Sequence, residues 1–248
     1  MFPIRDHNPS GRTPFVTWAL VAANVAIFLG YWLTIPDERA LGWFFVNWGL
    51  VPLAVSEGFG WHGFLTSMFL HGGWMHLAGN MLFLWVFGDN IEDEMGHARF
   101  AGFYLAGGIA ASLAQVLADP FSPIPMVGAS GAIAAVLGGY LLMFPRARVD
   151  VLFIFVIFFR IFPIPAWIVL GIWFALQVFS GISTPSDQGG VAYWAHAGGF
   201  VAGILLTVPL WAARGGPGFW SRTHGVPPHP EATYPIGRSR IPAVPRRR

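Results

Sequence analysis

The sequence predicts an all-α membrane protein: a six-transmembrane-helix bundle with a long interfacial first outer loop. Three observations predict it. Of 248 residues, 55% are hydrophobic and only 10% charged, with a mean hydropathy of +0.58, against about 25% charged in ordinary soluble domains. Six apolar runs come close to the ~20 residues a helix needs to cross hydrocarbon. The basic residues, all arginines, fall in alternate connections between those runs, as cytoplasmic connections do.

Residues 1–13 form a polar, proline-containing segment expected on the cytoplasmic side. No small-residue cleavage site follows the first run, Phe15 to Ile35, so it reads as a spanning helix and not a removed signal peptide. The first outer connection, Pro36 to Gly73, carries Trp43, Phe44, Phe45, Trp48, Phe59 and Trp61, an aromatic content suited to the membrane interface. Further runs follow at Trp74–Ile91, Phe100–Ala118, Val127–Phe144, Ile164–Ile182 and Tyr193–Ala213. The acidic stretch Gly88–Glu94 is expected to cap the inner end of the second helix. Val151 to Phe162 is too short to span and carries Arg160. It reads as an interfacial or re-entrant piece whose arginine reaches the headgroups, with a seventh span as the alternative.

With six spans, Arg5, Arg12, Arg99, Arg146, Arg148, Arg214 and Arg222 all fall on one side, while Asp37, Glu38, Arg39, Glu57, Asp119 and Asp187 fall on the other. Both termini are therefore expected in the cytoplasm. The membrane domain covers residues 14–213, and residues 214–248, rich in Gly, Pro and Arg, are expected to be a disordered tail with a weak attraction to anionic lipid. The arginine distribution reports topology and no nucleic-acid partner; the bilayer is the expected partner. Without cysteine there is no thiolate metal site, disulfide or cysteine nucleophile.

Polar groups facing hydrocarbon cost several kcal/mol unless satisfied, so they are read as functional first. Ser130 heads the fourth run within Gly128-Ala129-Ser130-Gly131, and His196 heads the sixth within Ala195-His196-Ala197-Gly198-Gly199. In the assigned topology the second, fourth and sixth helices all start on the outer side, and His76 and Asn80, four apart, share one face of the second. Ala195, Gly199 and Gly203 recur every fourth residue, opposite a small surface of Gly131, Ala134, Ala135 and Gly138, a pattern that lets helix backbones approach. Close approach would put Ser130 within reach of His196, and a serine needs such a base to act as nucleophile. The Ser130 amide at a helix start, with His76 and Asn80, could hold an oxyanion. No carboxylate is placed to orient the histidine, so a dyad is expected.

These residues resemble the rhomboid family of intramembrane serine proteases. The resemblance runs through Thr66-Ser67-Met68-Phe69-Leu70-His71-Gly72-Gly73-Trp74-Met75-His76-Leu77-Ala78-Gly79-Asn80, Gly88-Asp89-Asn90-Ile91-Glu92-Asp93, Gly128-Ala129-Ser130-Gly131 and Ala195-His196-Ala197-Gly198-Gly199-Phe200-Val201-Ala202-Gly203. It implies Ser130 as nucleophile, His196 as general base and acid, His76 and Asn80 in the oxyanion hole, and His71, Gly128, Gly131 and Gly199 as supporting residues. It also implies transmembrane protein substrates, cleaved near the outer leaflet at small residues beside helix breakers. Two features depart from the family: the Trp-Arg pair of many first outer loops is missing, and Ala134 stands where some members place an aromatic residue under the histidine ring. Another residue must hold the imidazole.

Three other readings compete. A non-catalytic rhomboid-like protein would bind client helices, but such relatives typically lack the serine or the histidine. A transporter would show repeated halves, which the sequence lacks. A zinc site from His71, His76 and His196 lacks both an HExxH motif and a carboxylate at that depth. No metal or organic cofactor is expected. The compact form without a targeting peptide leads to an expected prokaryotic plasma membrane.

Overall fold

A computed structural model describes residues 2–155, 158–184 and 190–227. In chain order the elements are β1 (Phe2–Asp6), α1 (Phe15–Trp32), α2 (Glu38–Trp48), α3 (Pro52–Ser56), α4 (Gly63–Thr66), a 3-10 turn (Ser67–Phe69), α5 (Trp74–Met95), α6 (His97–Ala118), α7 (Ser130–Met143), β2 (Arg148–Phe155), β3 (Phe158–Pro165), α8 (Ala166–Ser183), α9 (Tyr193–Ala213) and α10 (Pro217–Thr223). Each of the six apolar runs contributes one helix. Four of these, α1, α6, α8 and α9, are long and apolar enough to cross a bilayer.

α7 is the centre of the bundle. Its sequence, Ser-Gly-Ala-Ile-Ala-Ala-Val-Leu-Gly-Gly-Tyr-Leu-Leu-Met, is apolar all round, the pattern of a helix enclosed by protein, and ten of its residues are buried. α9 packs against it backbone to backbone: a Cβ on Gly138 would overlap the Phe200 carbonyl, one on Gly199 the Gly131 carbonyl, and one on Gly203 the Ala135 carbonyl. α6 meets both, with Gly107 against Ala135 and Gly198 of α9 against Ala114. In hydrocarbon, van der Waals contact between close backbones drives helix association, which is why glycine and alanine occupy these rows.

The connection between α1 and α5 folds as short helices. Asp37 caps α2, accepting the Ala40 N–H at 2.8 Å, Trp43, Trp48, Phe59 and Trp61 are exposed, and Phe44 and Phe45 pack on Tyr31 of α1. Tyr31 then holds the start of α5, donating to the His71 carbonyl at 2.6 Å and accepting the His71 N–H at 2.8 Å.

The opposite end of the bundle is not helical. The described residues of the stretch 151–162, expected as an interfacial or re-entrant piece, are strands, so the alternative of a seventh spanning helix does not hold. β2 and β3 form an antiparallel hairpin, Val149 opposite Ile164 and Leu152 opposite Ile161, and β1 adds to β2 with Asp6 opposite Val149. An open sheet edge is not tolerated in hydrocarbon, so this sheet lies at or beyond the bundle's end, with Pro163 and Pro165 on its edge strand where a missing N–H is harmless. Arg5 Nε donates to Asp150 Oδ2 at 3.0 Å and His7 Nε2 lies 2.9 Å from Asp150 Oδ1. Tyr140 of α7 donates to Asp6 at 2.7 Å. Desolvation raises the Asp150 carboxyl, but its bonds to Arg5 and His7 outweigh that and hold it below its ordinary value. For Asp6 burial wins over the Tyr140 bond and pushes the carboxyl up to about 8.

Two more expectations change here. Glu92 caps the first helix and not its own: Pro14 leaves α1 without a side-chain cap, and the Glu92 carboxylate accepts the Val16 N–H at 2.8 Å and the Thr17 N–H and hydroxyl at 2.7 Å each, matching a negative group to the helix start. Nor is the chain after Ala213 wholly without structure, because α10 buries Phe219, packs Trp220 at a tilt against Trp211, and donates from Trp220 Nε1 to the Leu142 carbonyl at 2.9 Å. The rest of the expected disordered tail, residues 228–248, and Asp187 lie outside the described residues.

Two outcomes follow from this packing. Gly203→Leu in detergent is expected to lose about 1–3 kcal/mol or more by overpacking, whereas Gly102→Ala, where an added Cβ meets nothing within 4 Å, should be neutral or stabilising by up to about 1 kcal/mol; denaturant titration measures both. Because folding raises the Asp6 carboxyl to about 8 from an unfolded value near 3.9, the folded chain holds a proton there that the unfolded chain releases. Its contribution is fully present below pH ~4 and is lost as pH rises toward ~8. The midpoint of thermal unfolding of the native chain should therefore fall relative to that of Asp6→Asn over that range, and parallel curves would refute the assignment.

Candidate active site

Ser130 is the first residue of α7, and the chain reaches it through a turn that only glycine accommodates. Gly128 has φ +137°, and its N–H donates to the Ser67 carbonyl at 2.9 Å. The preceding Ala129 provides no side-chain cap, so the N–H groups of the first turn of α7, Ser130 among them, are those a helix leaves without intrahelical partners. Across the α7–α9 contact, Ser130 Oγ lies 2.7 Å from His196 Nε2. Gly131 and Gly199 are the points where the two backbones touch one turn on.

His76 and Asn80 come from α5. The Gly72 N–H donates to His76 Nδ1 at 3.3 Å, and in a neutral imidazole that leaves the ring proton on Nε2. That nitrogen faces Gly128, where an added Cβ would sit 2.9 Å from it, so this glycine is required by space as well as by φ. Asn80 is buried and its Nδ2 has no partner among the described residues, an expensive state for an amide unless it serves a visiting acceptor. His71 is brought beside this group but not into it. Its ring is fully buried, packs edge-on against the His76 ring at 5.1 Å, and leaves both nitrogens unpartnered among the described residues. Burial, with a smaller contribution from His76, pushes its imidazole down to about 3, so it is neutral.

Ser130, His196, His76 and Asn80 line one cavity of about 590 Å³, together with Gln115, Asp119, Met126 and Trp194. It lies at the end of the bundle away from the sheet. Gln115 also accepts the Ala195 N–H at 3.2 Å, fastening the start of α9 to α6.

The imidazole is held by α8. Trp173 packs on the His196 ring with centroids 5.8 Å apart at 31°, and Gln177 Oε1 lies 2.8 Å from His196 Nδ1. Sequence reasoning missed both residues. A signal existed for Gln177, a lone amide in the run Ile164–Ile182 and four residues from Trp173, because the rule that singles out Ser130 and His196 applies to it equally.

A family model described as the Rhomboid domain matches residues 58–213. Among curated proteins, the chain is similar to "Rhomboid protein 1, mitochondrial" of Saccharomyces cerevisiae (30% identical over 197 residues, 77% of this chain and 51% of the relative). It is also similar to "Rhomboid protease GluP" of Bacillus subtilis (37% over 155 residues, 62% of this chain and 28% of the relative) and to "Rhomboid-like protein 11, chloroplastic" of Arabidopsis thaliana (32% over 129 residues, 52% and 41%). The aligned stretches thus span about a quarter to a half of these relatives' own lengths. Because mitochondrial and chloroplastic names occur among them, the prokaryotic plasma membrane expected from the compact form finds no support. The match covers most of the bundle and all four residues around the cavity, and the chain is an integral membrane protein of the rhomboid family.

Proposed function

We propose that this chain is an intramembrane serine endopeptidase that hydrolyses transmembrane segments of other membrane proteins through an acyl-enzyme. The observation that carries the reading is the 2.7 Å approach of Ser130 Oγ to His196 Nε2 inside a cavity that also presents two side chains able to donate hydrogen bonds. His196 Nε2 takes the hydroxyl proton as Oγ attacks the substrate carbonyl. The developing oxyanion is held by the Ser130 N–H, His76 Nε2–H and Asn80 Nδ2, donors fixed before the charge appears, where such stabilisation is most effective. Collapse expels the amine, which takes the proton from His196 Nε2. A water from the cavity then gives its proton to the same nitrogen, attacks the ester, and frees Ser130. His71, whose ring packs edge-on against that of His76, supports it.

The topology belongs to the same proposal. α1, α5, α6, α7, α8 and α9 are the six spans, although α7 has only 14 residues. At 1.5 Å per residue it is ~21 Å long, about 9 Å short of a ~30 Å hydrocarbon core, and its deficit lies at the cavity end. Arg5, Arg12, Arg99, Arg146, Arg148, Arg214 and Arg222 flank the sheet end, joined by Arg160 on β3, which makes that the cytoplasmic side and opens the cavity to the outer side. A substrate helix must unwind before attack, since its peptide bonds are hydrogen-bonded and shielded, and small residues with helix breakers nearby lower that cost.

Incubation of the purified protein with a single-pass substrate in liposomes tests the reading. Ser130→Ala and His196→Ala are each expected to abolish cleavage, the double variant doing no more than either alone because such residues act as a unit; cleavage that survives Ser130→Ala ends the assignment. Asn80→Ala and His76→Ala should each lower kcat about 10²–10³-fold, measured as initial rates at saturating substrate, while leaving Ser130 able to react with a fluorophosphonate.

A further inference from the structure

The apolar run that forms α8 contains a single amide, Gln177, and it lies on His196. A neutral imidazole carries one proton on one of two nitrogens, and which one is set by the partner of the other. His196 can receive the Ser130 proton only if Nε2 is bare, so the ring proton must sit on Nδ1. A carbonyl oxygen 2.8 Å from Nδ1 selects that tautomer, since Oε1 accepts and cannot donate. With the amide turned round, its NH₂ would donate to Nδ1 and drive the ring proton to Nε2, where it would face the Ser130 hydroxyl as a competing donor.

The rest of α8 makes this contact conditional. Its buried residues, Ala166, Val169 and Leu170, all lie in its first turns, next to the sheet. Beyond them the helix is attached to α9 by ring contacts, Trp173 on His196 and Phe200 and Phe174 on Phe200, and by the close fit of Gly181 against Trp194. Gln177 and Trp173, one turn apart, therefore reach the imidazole only while this outer half of α8 is docked on α9.

Resting on the protease reading of the site, we propose that Gln177 is a positioning residue that fixes His196 in the tautomer with a bare Nε2, and so makes the base competent only when α8 is docked on α9. During attack the Ser130 proton passes to Nε2, the imidazolium keeps its Nδ1–H on Gln177 Oε1, and the Nε2 proton leaves with the amine. Gln177 gains and loses no proton. The carbonyl dipole is worth most at the imidazolium stage, because hydrogen bonds to charged partners are stronger than neutral ones.

Two measurements on the full-length protein in detergent decide it. In the first, ¹⁵N-histidine spectra, with the His196 signals assigned by their loss in His196→Ala, report the tautomer without needing a substrate. The native chain should show a protonated Nδ1 and a bare Nε2, and Gln177→Met, similar in size without the carbonyl, should show a mixture. In the second, cleavage of a single-pass substrate by Gln177→Met should lose about ten- to a hundredfold in kcat with KM changed by less than about twofold, the signature of a lost transition-state interaction. Gln177→Glu, which keeps an acceptor at the same reach, should recover the native tautomer and most of kcat. A Met variant with native tautomer and native kcat overturns the proposal, as does a native chain with its proton on Nε2. If Gln177→Met does not fold, a folded Gln177→Glu protein lacking the Nδ1–H tautomer overturns it equally. A native chain that holds the predicted tautomer yet neither cleaves substrate nor reacts with a fluorophosphonate refutes the protease reading and leaves the tautomer assignment standing.

Discussion

The contact on which everything else depends is the one between the backbones of α7 and α9, with no side chain between them. Gly138, Gly199 and Gly203 each face a carbonyl of the other helix so closely that a methyl group has nowhere to go. Helices normally pack 8–10 Å apart with side chains interleaved; removing those side chains lets Ser130 and His196, 66 residues apart in the chain, meet at 2.7 Å. The hydrogen bond is a consequence of that packing and too weak, at about 1 kcal/mol net for a neutral pair, to be its cause. The same economy recurs where α6 fits its Gly107 against Ala135, so three helices form a core in which small residues set the geometry.

α7 is then fixed at both ends by contacts from distant parts of the chain. At its start the Gly128 N–H is held by the Ser67 carbonyl, and Ser67 itself is buried in the turn that leads into α5. At its finish Tyr140 reaches Asp6, whose strand pairs with β2 immediately after the helix. α5 is tied to the same region, Glu92 holding the start of α1 and Asn90 Nδ2 donating to the Asn8 carbonyl at 2.7 Å. The N-terminal residues thus act as a brace across the sheet end of the helices that carry the candidate site, in contrast to α8, whose buried residues are confined to its first turns.

The polar groups of the site were legible in the sequence because they are improbable there: Ser130, His196, His76 and Asn80 stand out against apolar surroundings, and the four-residue spacing of Ala195, Gly199 and Gly203 announces a close helix contact. Gln177 was legible by the same rule, as the lone amide of its apolar run. The sheet was not legible. Val151–Phe162 is apolar throughout except for Arg160, a pattern that periodicity cannot assign to strand or helix, and the strand that pairs with β2 is about 145 residues earlier in the chain. Glu92 was read as serving its own helix because sequence neighbours are visible and spatial ones are not. α10 was hidden by its Gly-Pro-Gly surroundings, and only the burial of Phe219 and the Trp220–Trp211 pair explains why it forms.

Under the proposed function, the shortness of α7 resolves a conflict built into hydrolysis within a bilayer. The reaction consumes water and develops charge, while the surroundings exclude both. A full-length α7 would carry Ser130 up to the membrane surface or seal it in helix-paired backbone. On that reading, ending the helix ~9 Å early puts the serine below the surface yet leaves irregular backbone, Ile124 to Val127, to border a cavity instead of lipid, the one setting in which such backbone is tolerated at membrane depth. The missing turn and a half also leaves first-turn N–H groups and the Asn80 amide facing that space. In the proposed mechanism, water access, the oxyanion donors and the depth of the nucleophile therefore share a single cause, the Gly128 turn that stops α7 from starting any earlier.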